Sequence, residues 1–170
     1  MVMSNPPEPE NAAVRSATLK PGVRRITLRG VPHKAGIAAE IFGEIGSRKI
    51  VVDDIIQGAS ERARSITVSF MVDTKYVDTA RAAAEQIAQR YTRARVDVSD
   101  KLARLRVVGI GMRGHSGVAA KLFEALAAEN INIENISTSE IVISTLIPER
   151  DGQRALQAVQ KAFELDQEGE

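Results

Sequence analysis

Gly36-Ile-Ala-Ala-Glu-Ile-Phe42 returns 81 residues later as Gly117-Val-Ala-Ala-Lys-Leu-Phe123. At the same offset Gly30 matches Gly111, Ile50 matches Ile131, and Ile55 matches Ile136. Self-similarity at one spacing implies two copies of one small fold, each a supersecondary unit. With 170 residues in all, each copy has room for a small domain.

Outward from the repeat, each copy reads as alternating strands and helices. In the first, Val23 to Arg29 places Ile26 and Leu28 on one face and Arg25, Thr27 and Arg29 on the other, the alternation of a half-buried strand. Ala35 to Ser47 spaces Ile37, Ile41 and Ile45 four apart, as an amphipathic helix requires. Ile50 to Gln57 is short and β-branched, which predicts a strand. Gly58 to Arg62 reads as a turn. Ile66, Val68, Phe70 and Val72 alternate along a third strand. Val77, Ala80, Ala84, Ile87 and Tyr91 keep helical spacing, and Arg93 to Val98 closes the copy as a fourth strand. The order βαββαβ is the ferredoxin-like arrangement. The second copy predicts strands over 102–110, 131–137 and 140–147, with helices over 117–129 and 154–163. Its last strand is missing, because Glu-Leu-Asp-Gln-Glu-Gly-Glu after Phe163 is too acidic for a buried strand. Residues 12–19 form a spare strand before the first copy, and an unpaired sheet edge is a liability. The expected organisation is therefore a disordered tail over 1–11, one domain over 20–99, a second over 12–19 plus 100–164, and an acidic tail over 165–170. The fold class is α+β, with antiparallel sheets and helices on one face.

Composition excludes several functions. Basic and acidic residues nearly cancel, 23 against 22, which argues against binding nucleic acid through phosphate neutralisation. No 18-residue apolar run occurs, so no membrane partner is expected. Met1 to Asn11 holds three prolines and lacks the apolar core of a signal peptide. Without cysteine there is no disulfide, thiolate nucleophile or cysteine zinc site. Two histidines without clustered carboxylates make a metal site unexpected. No cofactor is implied, and the expected compartment is the cytoplasm.

Three runs carry a family resemblance. Gly30-Val-Pro-His-Lys-Ala-Gly-Ile-Ala-Ala39 resembles the aspartate kinase pattern G-[VI]-P-D-x-P-G-[IV]-A-A. Gly109-Ile-Gly-Met-Arg-Gly-His-Ser-Gly-Val-Ala-Ala-Lys-Leu-Phe123 resembles its second pattern, G-x-G-M-R-S-H-P-G-V-A-A-K-x-F. Asn132-Ile-Glu-Asn-Ile-Ser-Thr-Ser-Glu-Ile141 resembles N-I-E-x-I-S-T-S-E-I. The resemblance spans about Ala12 to Phe163 and is to the tandem ACT regulatory domains of that family. It implies that residues 12–19 cross over to complete the second copy. The Lys-Phe-Gly-Gly-Thr-Ser-like opening of the kinase domain does not occur, nor does a Gly-rich phosphate loop with Lys and Ser/Thr. The chain therefore resembles the separate regulatory subunit, or an excised regulatory half, and is not expected to be an enzyme itself. The implied partners are lysine and/or threonine as effector, a kinase catalytic subunit, and a second copy in a homodimer. The implied activity is feedback inhibition of aspartate phosphorylation in lysine and threonine biosynthesis. A stand-alone ACT protein that binds an amino acid or acts as a scaffold, without a kinase partner, is the alternative.

Two sets of residues follow from the resemblance. His33, Ala35, Gly36, Ile37, Ala38, Gln57, Asn132 and Ile133 fall at effector-binding positions. Met112, Arg113, His115, Gly117, Ser137, Thr138, Ser139 and Glu140 fall at second-loop or dimer-contact positions. The residues support part of this on their own. A helix beginning at Gly36 offers free N–H groups and a positive dipole end to a carboxylate, although the same loop also serves as a plain strand-to-helix turn. His33 stands where the family pattern has Asp, and Ala35 where it has Pro. Neutral imidazole accepts one hydrogen bond without full negative charge; His33 is therefore either a weak ammonium acceptor or an exposed residue of a decayed site. Asp54 replaces a frequent Met and adds a carboxylate whose direction is open. Gly114 and Ser116 depart from Ser and Pro in the second loop, and Val142 from a commonly basic residue. His115 is a subunit contact or solvated, and Ser137 to Glu140 are either contacts or a polar hairpin turn.

Overall fold

The computed structural model describes residues 13–60, 64–110 and 117–166. The chain divides into two compact units. One runs from Gly22 to Leu102; the other begins at Ala103 and includes the N-terminal segment up to Pro21. The tail expected over 1–11 lies outside the described residues, as do 167–170.

The first unit contains the second part of β1 (Val14–Pro32), α1 (Ile37–Ser47), β2 (Asp53–Ser60), β3 (Ser65–Asp73), α2 (Val77–Ala88) and β4 (Arg95–Val98). β1 pairs antiparallel with β3 on one side and with β4 on the other, and β2 pairs antiparallel with β3. Strand alternation decides which side chains meet the helices. Ile26 and Leu28 of β1 and Ile66, Val68 and Phe70 of β3 share one face with Val96 and Val98 of β4. They bury Ile37, Ile41 and Ile45 of α1 and Ala80, Ala83, Ala84 and Ile87 of α2. Phe42 adds an edge-on ring contact to Phe70, centroids 5.7 Å apart.

The second unit contains the first part of β1, β5 (Leu102–Gly109), α3 (Gly117–Ala128), β6 (Asn135–Thr138), β7 (Val142–Pro148) and α4 (Gly152–Ala162). β1 lies next to β5, followed by β7 and β6. The Ile110 N–H donates to the Ala13 carbonyl at 2.9 Å, which sets the start of β1 beside the end of β5. Ala13, Val14, Leu105 and Val107 share a core with Val118, Leu122 and Leu126 of α3 and Ala155, Val159 and Phe163 of α4. Leu19 packs beneath the first residue of α4, where a Cβ on Gly152 would touch it. Both units have antiparallel strands with two helices on one face, the ferredoxin-like α+β arrangement.

The observed elements differ from the expected ones in three places. The strands expected over 12–19 and 23–29 are one strand, β1. Pro21 sits within it without breaking it, since a position that donates no ladder bond tolerates proline, and Gly22 takes φ 75°. Gly58 to Ser60 belong to β2, not to a turn. Ile50 and Ile131 precede their strands, which begin at Asp53 and Asn135. Their match has another cause. Asn130 at φ 54° donates to the Ala127 carbonyl, and Ile131 to that of Leu126, a Schellman ending whose following apolar residue turns back onto the core. Lys49 at φ 57° donates to Gly46 in the corresponding place, and Ile50 is likewise buried. The repeated isoleucines close helices.

A polar clamp joins the first turn of α1 to the segment after α2. The Tyr91 hydroxyl donates to one oxygen of Glu40 at 2.7 Å, and Arg90 donates to the other at 2.9 Å. Tyr91 first, and Arg90 second, hold the Glu40 carboxyl below the usual glutamate range. A lowered folded-state pKa contributes stability above the unfolded value, lost as pH falls through the folded value. Acidification through the lowered Glu40 value should therefore release the clamp, and Tyr91→Phe should move the Glu40 titration upward by carbon-detected NMR. A second test concerns glycine. Gly30 has φ 74°, and a Cβ there would run into the Arg93 carbonyl. Gly43 lies in α1 with open space around it. Gly30→Ala should destabilise by about 2 kcal/mol or more, and Gly43→Ala should stabilise by roughly 0.5–1 kcal/mol, both read by urea unfolding.

Candidate functional site

The site grows from an extra residue in β1. Arg29 pairs with Thr67 and Val31 with Ile66, so Gly30 has no cross-strand partner and forms a bulge. Bulges bend a strand and re-aim the chain that follows. From there Val31-Pro32 leads into an exposed loop. The His33 N–H donates to the Arg64 carbonyl at 3.0 Å, and the Lys34 N–H to Pro32 at 3.1 Å. Gly36 turns the chain into α1 with φ 88°, a left-handed conformation that glycine adopts without penalty. No side chain caps this helix start. Among its first N–H groups, Ile37 donates weakly to Lys34 at 3.4 Å. A ligand carboxylate would meet unsatisfied donors and the positive end of the helix dipole here.

His33, Ala35, Gly36 and Ala38 are exposed along this loop and helix start, whereas Ile37 is buried in the core beneath them. Gln57 lies on β2 and is exposed. It pairs across the sheet with Val68, which pairs with Leu28, so all three share the face that carries α1. The row Ser60, Ser65, Pro32 opens onto the loop; Gln57 sits three residues along from it, about 10 Å. Asn132 and Ile133 belong to the other unit, between α3 and β6, the first exposed and the second packed on that unit's core. The structure therefore gathers the loop, the α1 start and Gln57 within one unit, and holds Asn132 and Ile133 in the other.

An amino-acid ammonium group would need an acceptor. Glu40 is near the helix start but is already engaged by Tyr91 and Arg90. Asp54 is half-buried on β2, in the irregular stretch between Asp53 and Ile56, and takes φ 46°, a rare conformation for a residue with a side chain. That backbone was not visible in the sequence; only the Asp-Asp pair at the strand start hinted at it.

Of the second set, Met112, Arg113 and His115 lie outside the described residues, as do Gly114 and Ser116. Gly117 opens α3. Ser137 and Thr138 pair with Ser144 and Ile143 in the β6–β7 hairpin. The Ser139 N–H donates to the Val142 carbonyl at 2.8 Å, and its hydroxyl accepts from the Val142 N–H at 3.2 Å. These polar residues thus build a hairpin turn, with Glu140 exposed at its tip. The Gly109 N–H donates to the Ile141 carbonyl at 2.9 Å, which ties the turn to the end of β5. Among the described residues no group of His, Cys, Asp and Glu could hold a metal ion, and no helix is long and apolar enough to cross a membrane.

Comparison with known proteins agrees with the fold. A family model described as ACT domain matches residues 26–87 and 105–163, once in each unit. The regulatory subunit of aspartate kinase from Thermus thermophilus, solved in a ligand-free form, superposes with a TM-score of 0.81 at 34% identity, covering 89% of this chain and 99% of that one. A structure of aspartokinase alpha and beta subunits matches with a TM-score of 0.80 at 38% identity, covering 90% of this chain and 100% of that one. The aspartate kinase of Pseudomonas fluorescens (strain SBW25) is 41% identical over 142 residues, 84% of this chain and 34% of its own length. The chain spans about a third of the length of such full-length kinases. The match falls on the regulatory part and not on the kinase catalytic domain. Two matched repeats, each folded as an antiparallel sheet under two helices, and near-complete coverage of a regulatory subunit establish that the chain belongs to the ACT-domain family, as a tandem ACT regulatory region of the aspartate kinases.

Proposed function

We propose that this chain is an allosteric regulatory subunit of an aspartate kinase, which binds lysine, threonine or both and lowers the activity of a catalytic partner. The observation that carries the proposal is the 99% coverage of a separately solved regulatory subunit at a TM-score of 0.81. A related structure contains aspartokinase alpha and beta subunits, which supports a catalytic partner here. The effector carboxylate is assigned to the uncapped start of α1 at Gly36, with Ile37 and Ala38 following, and the Gln57 amide is assigned a polar contact. Homodimerisation is assigned to the outer strands. β2 presents Ile55 at 53% and Ile56 at 40% exposure, and Ile136 of β6 is 47% exposed. Such edges and apolar groups favour pairing with a second copy.

The mechanism follows from linkage. An effector inhibits only by binding one quaternary state more tightly than another. A preference of about 1–3 kcal/mol suffices for ordinary allosteric coupling. A second reading, a stand-alone amino-acid-binding ACT protein, rests on His33, Ala35 and Ser116, which depart from the family pattern at the loops.

Three measurements test this. The chain should sediment as a dimer at about 10–50 micromolar, in the micromolar range of ordinary dimer affinities; a monomer there removes the dimer. Calorimetry should detect lysine or threonine, and His33→Asp should tighten binding by about 1 kcal/mol or more, because a charge-assisted hydrogen bond is gained. Unchanged affinity in that variant shows that His33 does not face the ammonium group. The isolated chain should turn over no ATP with aspartate, while a kinase catalytic subunit should become sensitive to lysine or threonine only with this chain present. An identical amino-acid response with and without the chain would favour the stand-alone reading.

A further inference from the structure

A second polar feature lies at the Gly30 bulge, within the first unit. A cleft of about 360 Å³ opens between the end of β1, the start of β3 and the segment after α2. Arg64, Arg90 and Arg93 line it, together with the hydroxyl-bearing Ser65, Tyr91 and Thr92. None of its lining residues is acidic. Arg90 and the Tyr91 hydroxyl are committed to Glu40. Arg64 and Arg93 hold no carboxylate among the described residues. Among the described residues, Arg64 and Arg93 thus line one opening with no carboxylate within ion-pair distance.

Their backbones are held in place. Arg64 has φ 47°, and its carbonyl accepts the His33 N–H. The Arg93 carbonyl is packed against Gly30, and the Ala94 N–H closes a turn onto Tyr91 at 3.1 Å. Part of the ordering cost of a binding site is thus met by the fold, although the side chains are solvent-exposed. A single carboxylate would leave this charge under-compensated. A phosphate group carries about −1.5 to −2 charge and three acceptor oxygens, and planar guanidinium groups match phosphate oxygens two at a time. Ser65 and Thr92 add neutral donors at the rim.

We propose that this cleft is an anion site that takes the phosphate group of a small molecule, separate from the amino-acid site at the start of α1. Its physical link to that site is short: Arg64 lines the cleft and also holds the His33 N–H.

The test uses the full chain in phosphate-free, low-salt buffer, titrated with inorganic phosphate, then with phosphoserine and ADP, and followed by calorimetry and amide NMR. Saturable binding of at least one of the three is expected, with amides of residues 64–65 and 92–94 shifting. The affinity should weaken about tenfold or more in Arg64→Gln/Arg93→Gln and stay unchanged in Arg81→Gln, whose guanidinium pairs with Glu85 on the outside of α2. It should also fall as salt rises. Preference for inorganic phosphate would mark a site for the group alone; preference for phosphoserine or ADP would mark a site for a phosphate ester or a nucleotide. Absence of saturable binding by all three, shifts confined to other residues, or equal affinity in the double variant would overturn the proposal. Amide mapping on the unsubstituted chain keeps the test decisive even where the double variant loses stability. Lysine and threonine calorimetry in the same buffer reports on the amino-acid site independently, so either site can fail alone.

Discussion

Ile37, Ile41 and Ile45 lie within the core of the first unit, against a sheet face of Ile26, Leu28, Val68 and Phe70, and that burial is what the rest of the unit depends on. Full burial of such a side chain contributes about 1.5–3 kcal/mol, whereas an isolated eleven-residue helix is marginal in water. α1 therefore exists because the sheet covers its stripe, and the sheet face stays dry because α1 and α2 cover it. Val118, Leu122 and Leu126 of α3 do the same in the second unit.

The proposed site lies at the start of α1, where the first helical N–H groups are left without a side-chain cap. The Gly30 bulge bends β1 out of register, and the chain then has six residues in which to turn and enter α1. Gly36 completes that turn in a conformation other residues adopt at a cost. The helix start is left without a side-chain cap, which suits a ligand better than it suits stability. The same bulge packs against Arg93, and Gly30 and Arg93 both line the arginine-lined cleft. One backbone irregularity thus adjoins two features that both favour anions: a helix start open to a carboxylate and a cleft lined by arginines.

The 81-residue repeat, the period-two runs and the four-residue isoleucine spacing were enough to read the ferredoxin-like order and the two-copy architecture, because burial on one face imposes those periods directly. The motifs around Gly30, Gly109 and Asn132 carried the family. Boundaries were read less well. Ile50 and Ile131 looked like strand starts because a buried β-branched residue has the same pattern whether it begins a strand or plugs a helix end. Only the left-handed Lys49 and Asn130, each with an i−3 hydrogen bond, and the i−5 bond of Ile131, separate the two.

Some facts about this chain were already present in its residues: an antiparallel layer beneath two helices in each copy, a glycine turn into α1 at Gly36, and His33 in place of an acidic residue. Tertiary structure alone decided the rest. It carried β1 through Pro21 and Gly22 as one strand, engaged Glu40 with Tyr91 and Arg90 across about fifty residues of sequence, and gathered Arg64 and Arg93 around one cleft. The physical reason is range. Periodicity and turn preference act between neighbours in sequence, whereas ion pairs and clefts form between residues that only the packed sheet brings together.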